Sequence, residues 1–395
     1  MVYGRFDRVV NSAQTDMTLE CRVSFMRRHT RGAHCRGVGR EPRLSPRALT
    51  GIVGMLVLAL TSCTFAPDVA ESPSAAESPT SVPSTVSSAP LPTSPVTLDP
   101  AEIAQRYEAG LAFFAYDVVA PLDVEQGERP FLADEAFSAY SLTYASPMGG
   151  RVPATLLVPS GTGPHPAMLV MHGLGDTMAS ELFLGQRYAR VGAVVLLIDA
   201  PFARPDRREE PPLTFTGRDR DEHIQLIVDL RRAVDLLLQR PDVDAERIAY
   251  HGFSYGAMIG GLLAGVEERI AAYVLVVGDG GLVEHFTGID DRGGPLDEMP
   301  ADEREEWLAV MEPLESIYFV GHAAPAALLF QSGRNDDLVP QADAERFQDA
   351  GSEPKTVLWY DSGHQLPREA ECDAAAWLAE VIAIDPGRFS SDCAG

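Results

Sequence analysis

Lysine is almost missing from this chain of 395 residues: Lys355 is the single one. With 57 Asp and Glu against 32 Lys and Arg, the formal net charge is -25. That balance argues against the nucleic-acid backbone as a partner, because binding it needs clustered positive charge. Long apolar runs are lacking too. Ala48 to Leu60 makes a run of 13 residues, whereas a helix spanning a bilayer needs about 20. No H-E-x-x-H, Walker loop or G-x-G-x-x-G stands in a suitable context, so neither metal nor organic cofactor is expected. What is present is a globular composition, 45% apolar and 23% charged, with material for a sizeable core.

The charge is unevenly spread. Residues 1–62 hold 10 Arg against 4 Asp or Glu, and the remainder is strongly acidic. Arg36, Arg40, Arg43 and Arg47 precede the apolar run, as in a secretory signal. Leu60-Thr61-Ser62-Cys63 closes it and resembles the bacterial lipobox. The resemblance implies lipidation of Cys63, an exported protein and anchorage on the outer face of the cell membrane. Residues 1 to about 35 have no place in such a signal, so a start downstream of Met1, as at Met26, is expected. Residues 63–98 are rich in Ser, Pro, Thr and Ala, without apolar periodicity, and read as a disordered tether. Cys372 and Cys393 would either bridge, in an oxidising compartment, or stay free.

From residue 99 onward, strands alternate with helices. Asp99 and Pro100 suit the N-cap and first position of a helix running to about Asp117. Phe137 to Ala145 and Val152 to Val158 read as a hairpin turning at Met148-Gly149-Gly150. The apolar runs Ala167–Met171, Ala193–Ile198, Ala271–Val277, Ala326–Phe330 and Thr356–Tyr360 read as buried parallel strands. Helices are expected over Glu181–Val191, Asp221–Gln239 and Ala374–Ile384. The charged stretch Phe202–Arg220 reads as a solvated loop, whose arginines could otherwise hold an acidic substrate. Residues 280–323 fit neither strand nor a regular crossover and read as a lid insertion.

Gly252-Phe253-Ser254-Tyr255-Gly256 spells G-x-S-x-G between a short strand and a helix rich in small residues. A serine on that strained turn has its hydroxyl thrust outward, and the N–H of Tyr255 opens the helix beside it. His172-Gly173-Leu174-Gly175 follows an earlier strand, where a loop can aim the N–H of Leu174 at the same point. His172 reads as a residue shaping that loop. Asp336 lies in G-x-x-D-x-x-V-P, with Asp337 beside it and Asp279 as a reserve acid after a strand. His364 follows the last strand, directly after Gly363. His165, His223, His251, His285 and His322 lack such placement and read as surface or core residues.

The order Ser254, Asp336, His364 resembles that of the α/β-hydrolases. The likeness covers about Tyr140 to Ile384, and Leu156 to Gly173 looks most like dienelactone hydrolases, acetyl-xylan-type esterases and prolyl-oligopeptidase-type domains. Dienelactone hydrolases proper carry cysteine at the elbow, so their substrate is not implied. The resemblance implies a mostly parallel sheet flanked by helices, and a serine hydrolase acting on a small-molecule ester. Ser254, Asp336 and His364 would be its triad, with Tyr255 and Leu174 as oxyanion donors. Alternatives from other classes are a prolyl-oligopeptidase-type peptidase, against which the missing propeller counts, and a non-catalytic surface binding lipoprotein.

Overall fold

The computed structural model describes residues 99–287 and 294–386, together with Phe389 and Cys393. The leader, Cys63 and the Ser/Pro-rich stretch lie outside the described residues, as does part of the expected lid.

Helix α1 (Pro100–Gly110) starts where Asp99 accepts the N–H of Ala101 at 2.9 Å. It ends earlier than the sequence suggested, giving way to a 3-10 turn at Leu111–Phe114. Two short strands follow, β1 (Glu125–Gln126) and β2 (Leu132–Ala133), both paired with β3 (Phe137–Ala145). Strand β4 (Arg151–Pro159) returns antiparallel to β3, with Ala145 opposite Arg151 across the glycine turn. Next come β5 (His165–Met171), α2 (Leu182–Arg190) and β6 (Val194–Ile198). Helix α3 (Gly217–Leu238) leads to β7 (Val243–Phe253), α4 (Tyr255–Ala264) and β8 (Ala272–Val276). Helices α5 (Leu282–Thr287) and α6 (Ala301–Met311), with three 3-10 turns over 312–322, occupy most of the stretch expected as a lid. The chain then runs through β9 (Ala327–Gly333), α7 (Gln341–Ala350), β10 (Lys355–Tyr360) and α8 (Arg368–Ile382).

The strands form one sheet in the order β1-β3-β4-β6-β5-β7-β8-β9-β10, with β2 beside β3. From β6 to β10 every pairing is parallel, and β4 meets β6 antiparallel. A strand's side chains alternate between faces, so each buried strand feeds two cores. Val194, Leu196 and Ile198 of β6 pack with α3 and α4, whereas Val195 and Leu197 pack with α2 and α8. Coverage on both faces explains why these strands read as unbroken apolar runs. The lone lysine acts locally, its ammonium donating to the carbonyls of Gln348, Asp349 and Gly351. Those groups sit at the negative end of α7, where a cation is favourable. Cys372 of α8 and Cys393 are joined by a disulfide.

Helix α3 begins four residues before the sequence reading because its first turn is polar and escapes the apolar periodicity. Thr216 accepts the N–H of Arg218 at 3.3 Å. Asp219, three residues on, reaches back to the N–H groups of Thr214 and Phe215 at 2.8 and 2.7 Å, a variant of the capping box. The same buried carboxylate accepts the hydroxyl of Thr214 at 2.8 Å and the indole N–H of Trp307 at 2.9 Å. One side chain thereby holds the helix start, the preceding loop and α6. It also sustains Phe215 at φ 54°, a strained value for a residue other than glycine. Phe215 packs edge-on against Phe286 of α5 and tilted against Trp307. Asp219→Ala would strand these donors, and a loss of about 3 kcal/mol is expected from the unmet partners. Denaturant unfolding of the variant, with Trp307 fluorescence as local reporter, measures it.

Candidate active site

The parallel strands deliver their carboxyl ends to one edge, where open α/β sheets place ligands. Ser254 leaves the end of β7 with φ 54° and ψ -117°, a conformation an L-residue enters only under strain. Its N–H donates to Val276 of β8 at 2.8 Å, and its carbonyl accepts the N–H groups of Ala257 and Met258. The turn is therefore clamped on both sides of the serine. A Cβ on Gly252 would collide with the carbonyl of Gly256, and one on Gly256 would lie 2.6 Å from the carbonyl oxygen of Met171. The first clash lies within the turn itself rather than with a neighbouring strand. The second is with the end of β5, as expected for an elbow seated in the sheet.

His364 meets this serine. Its Nε2 lies 2.9 Å from Ser254 Oγ, and its Nδ1 lies 2.8 Å from Asp336 Oδ2. It is Asp336, and not the neighbouring Asp337, that faces the imidazole. The loops carrying acid and base are stitched together. Arg334 donates to the Tyr360 carbonyl at 2.8 Å, Asn335 N to Ser362 at 2.9 Å, and the Asn335 amide to Asp361 at 2.8 Å. Asp336 Oδ1 accepts the N–H groups of Leu338 and Val339 at 2.8 and 3.0 Å, which leaves Oδ2 to the histidine. A carboxylate can only accept, so the ring proton resides on Nδ1, and Nε2 is free to accept from the serine hydroxyl. The ring of Phe253 stands against that of His364, centroids 5.4 Å apart.

On the other side of β7, the loop after β5 carries Leu174. His172, fully buried, shapes this loop: Nδ1 donates to Gly173 at 2.8 Å and Nε2 accepts the N–H of Ala200 at 3.1 Å. Burial pushes its pKa down to about 4, against the opposing pull of the Gly173 carbonyl. It stays neutral and serves as a brace. Tyr255 opens α4, whose first N–H groups have no partner within the helix. Its hydroxyl is 3.3 Å from Nδ1 of His223, a buried imidazole that burial pushes down to about 4.

Two parts of this edge differ from the sequence reading. Arg204 and Arg207, on the loop expected to be solvated, are buried. Arg204 pairs with Asp229, and Arg207 with Glu222 at 2.9 Å, both acids on α3. They fasten the loop to the helix and are committed to those partners. Asp279, the reserve acid, is paired with His285 at 2.7 Å rather than with His364. The spacing of six residues across a short helix gave no motif by which to foresee it. Among the described residues, no group of three or more His, Cys, Asp or Glu is arranged to hold a metal ion.

Residues 121–279 match the acetyl xylan esterase family, a stretch that holds Leu174, Ser254 and Asp279 and ends before Asp336 and His364. Two uncharacterized proteins of Mycobacterium tuberculosis, from strains H37Rv and CDC 1551, are each 31% identical over 212 residues, 52% of this chain. The match spans 65% of those relatives' length, less than two thirds. Among solved structures, an acetyl xylan esterase from Paenibacillus sp. R4 superposes with TM-score 0.60 at 21% identity, over 73% of this chain and 96% of its own. Acetyl xylan esterase 1 from Thermoanaerobacterium sp. JW/SL YS485 gives TM-score 0.59 at 17% identity, over 71% and 94%. With its parallel sheet and the elbow at the end of β7, this chain is an α/β-hydrolase in fold, and residues 121–279 carry the acetyl xylan esterase pattern.

Proposed function

We propose that the chain is a serine hydrolase of carboxylic esters. The observation that carries this reading is the relay from Ser254 Oγ through His364 to Asp336, at 2.9 and 2.8 Å. His364 Nε2 would take the hydroxyl proton as Oγ attacks the acyl carbon. Asp336 would hold the ring and stabilise its cation. The N–H groups of Leu174 and Tyr255 would receive the oxyanion, each contributing roughly 3 kcal/mol to the transition state. The imidazolium then gives its proton to the leaving alcohol, and water releases the acyl group by the same steps in reverse. The acetyl xylan esterase match supports an ester over an amide, and a short acyl group.

A fluorophosphonate probe should label Ser254 and no other serine, with p-nitrophenyl acetate hydrolysis lost in step. A binding protein on this fold would take no label. A prolyl-type peptidase would take it, yet cleave aminoacyl-prolyl amides in preference to esters.

We further propose that the protein works outside the cytoplasm, anchored through lipid on Cys63. The lipobox-like Leu60-Thr61-Ser62-Cys63 supports this, and so does the Cys372–Cys393 disulfide, a bond favoured in oxidising compartments. Cys63→Ala is expected to move the protein from the membrane pellet to the soluble fraction without changing its rate on p-nitrophenyl acetate.

A further inference from the structure

The strand order divides the edge around the serine. Leu174 follows β5 on one side of β7, while β8, β9 and β10 lie on the other and supply Asp336 and His364. The alcohol of an ester must take its proton from His364 Nε2. It therefore departs toward the side of the base, away from Leu174.

A second imidazole stands on that side. Asp279 lies three residues beyond β8 and is buried. Its position is fixed relative to the nucleophile: Val277 N donates to Gln331 of β9 at 2.8 Å, and Gly278 packs on Ala257 and Met258 in the first turn of α4. Asp279 Oδ2 accepts Nδ1–H of His285 at 2.7 Å. The His285 side chain is 28% exposed, and its Nε2 has no hydrogen-bond partner among the described residues. Burial alone would depress this histidine's pKa. The Asp279 carboxylate, with Asp343 and Asp336 behind it, outweighs that and holds it above the ordinary value. With Nδ1 committed to Asp279, Nε2 is the ring nitrogen left to meet a ligand. Phe286, next in the chain, sets its ring edge-on to the imidazole at 5.0 Å and continues into Phe215 and Trp307.

We propose that Asp279 and His285 form a subsite for the alcohol half of the ester, in which Nε2 of His285 hydrogen-bonds to a neutral hydroxyl oxygen of that alcohol. The inference rests on the ester-hydrolase reading above and names the alcohol class that reading leaves open. The oxygen is neutral because the surroundings are acidic. Asp279, Asp336 after β9 and Asp343 on α7 act on this imidazole, while burial pushes Glu284 on α5 up to about 7 and Glu315 after α6 well above the usual carboxylate range, so these two add little charge; Arg346 of α7, paired to Glu284, is the opposing cation. A carboxylate on the alcohol would meet that field, whereas a hydroxyl forms the hydrogen bond without adding charge. Asp279 acts as the positioning residue, holding Nδ1–H and turning Nε2 outward.

The test compares 2-hydroxyethyl acetate with propyl acetate, alcohols of equal length that differ by a hydroxyl in place of a methyl. Full-length protein is expected to prefer the hydroxylated ester by about tenfold in kcat/KM, the size of one hydrogen bond. His285→Phe should abolish the preference, and His285→Gln, whose amide can still hydrogen-bond a hydroxyl, should restore part of it. Asp279→Asn should weaken it. Phenyl acetate, whose alcohol offers no such oxygen, should be hydrolysed within about twofold of wild type by each variant that retains the fold, within the scatter of a surface change. Equal rates on the two acetates in wild type, or an equal loss on both in His285→Phe, overturn the subsite. If the protein takes the fluorophosphonate label and hydrolyses phenyl acetate, such a result sinks the subsite alone. If it does neither, the ester-hydrolase reading falls first and the subsite with it.

Discussion

Ser254→Ala is expected to lower kcat on p-nitrophenyl acetate by about 10⁶-fold while leaving the protein folded. The loss is that large because the oxygen forming the acyl-enzyme is gone, and no other group at the edge replaces it. The donors of Leu174 and Tyr255 stay where they are, so a residual rate of about 10³-fold over water should persist. His364→Ala should cost about as much, and the double variant hardly more, since each step needs both groups. Stability should respond differently. Alanine inherits the strain of serine at φ 54° and ψ -117°, so Ser254→Ala should unfold near the wild-type midpoint. Glycine enters that region freely, and Ser254→Gly should gain about 1 kcal/mol while losing the activity as fully. Stopped-flow burst kinetics and denaturant titration of the two variants separate the chemical role of the side chain from the strain of its backbone.

The elements around that serine are legible in the sequence because each is local. Ala167–Met171 and Ala193–Ile198 are apolar without interruption, since helices cover both faces of the sheet there. G-x-S-x-G and G-x-x-D-x-x-V-P mark turns whose shape depends on neighbours a few residues away. Harder to foresee is whatever couples distant segments. The four donors on Asp219 come from its own cap and from Trp307, 88 positions later. A buried carboxylate in that role resembles, in sequence, any acid in the first turn of a helix. Arg204 and Arg207 look solvated in sequence for the same reason: pairing with α3 is invisible until the loop folds back upon it. His285 reads as surface or core because no motif surrounds it, and only the end of β8 reveals its acid.

Asp336→Asn should be the next most damaging change, with kcat lowered by about 10⁴-fold and the fold intact. The argument turns on which atom of the new amide faces the histidine. Asp336 Oδ1 accepts the N–H groups of Leu338 and Val339. Two donors cannot face an NH₂ group, so the amide oxygen of asparagine keeps that place. Its NH₂ must then point at Nδ1 of His364, which becomes an acceptor and sends the ring proton to Nε2. That nitrogen lies 2.9 Å from Ser254 Oγ and, once protonated, can no longer take the hydroxyl proton. Asp336→Ala would be less informative, because it strands the two N–H groups and costs stability of about 2 kcal/mol besides. A loss smaller than tenfold in Asp336→Asn would mean that another carboxylate orients the base. Asp279 is the acid placed to do so, one strand nearer the serine, and Asp336→Asn/Asp279→Asn would then show the missing loss. With Asp279 held by His285 at 2.7 Å, the double variant is expected to be no slower than Asp336→Asn on phenyl acetate.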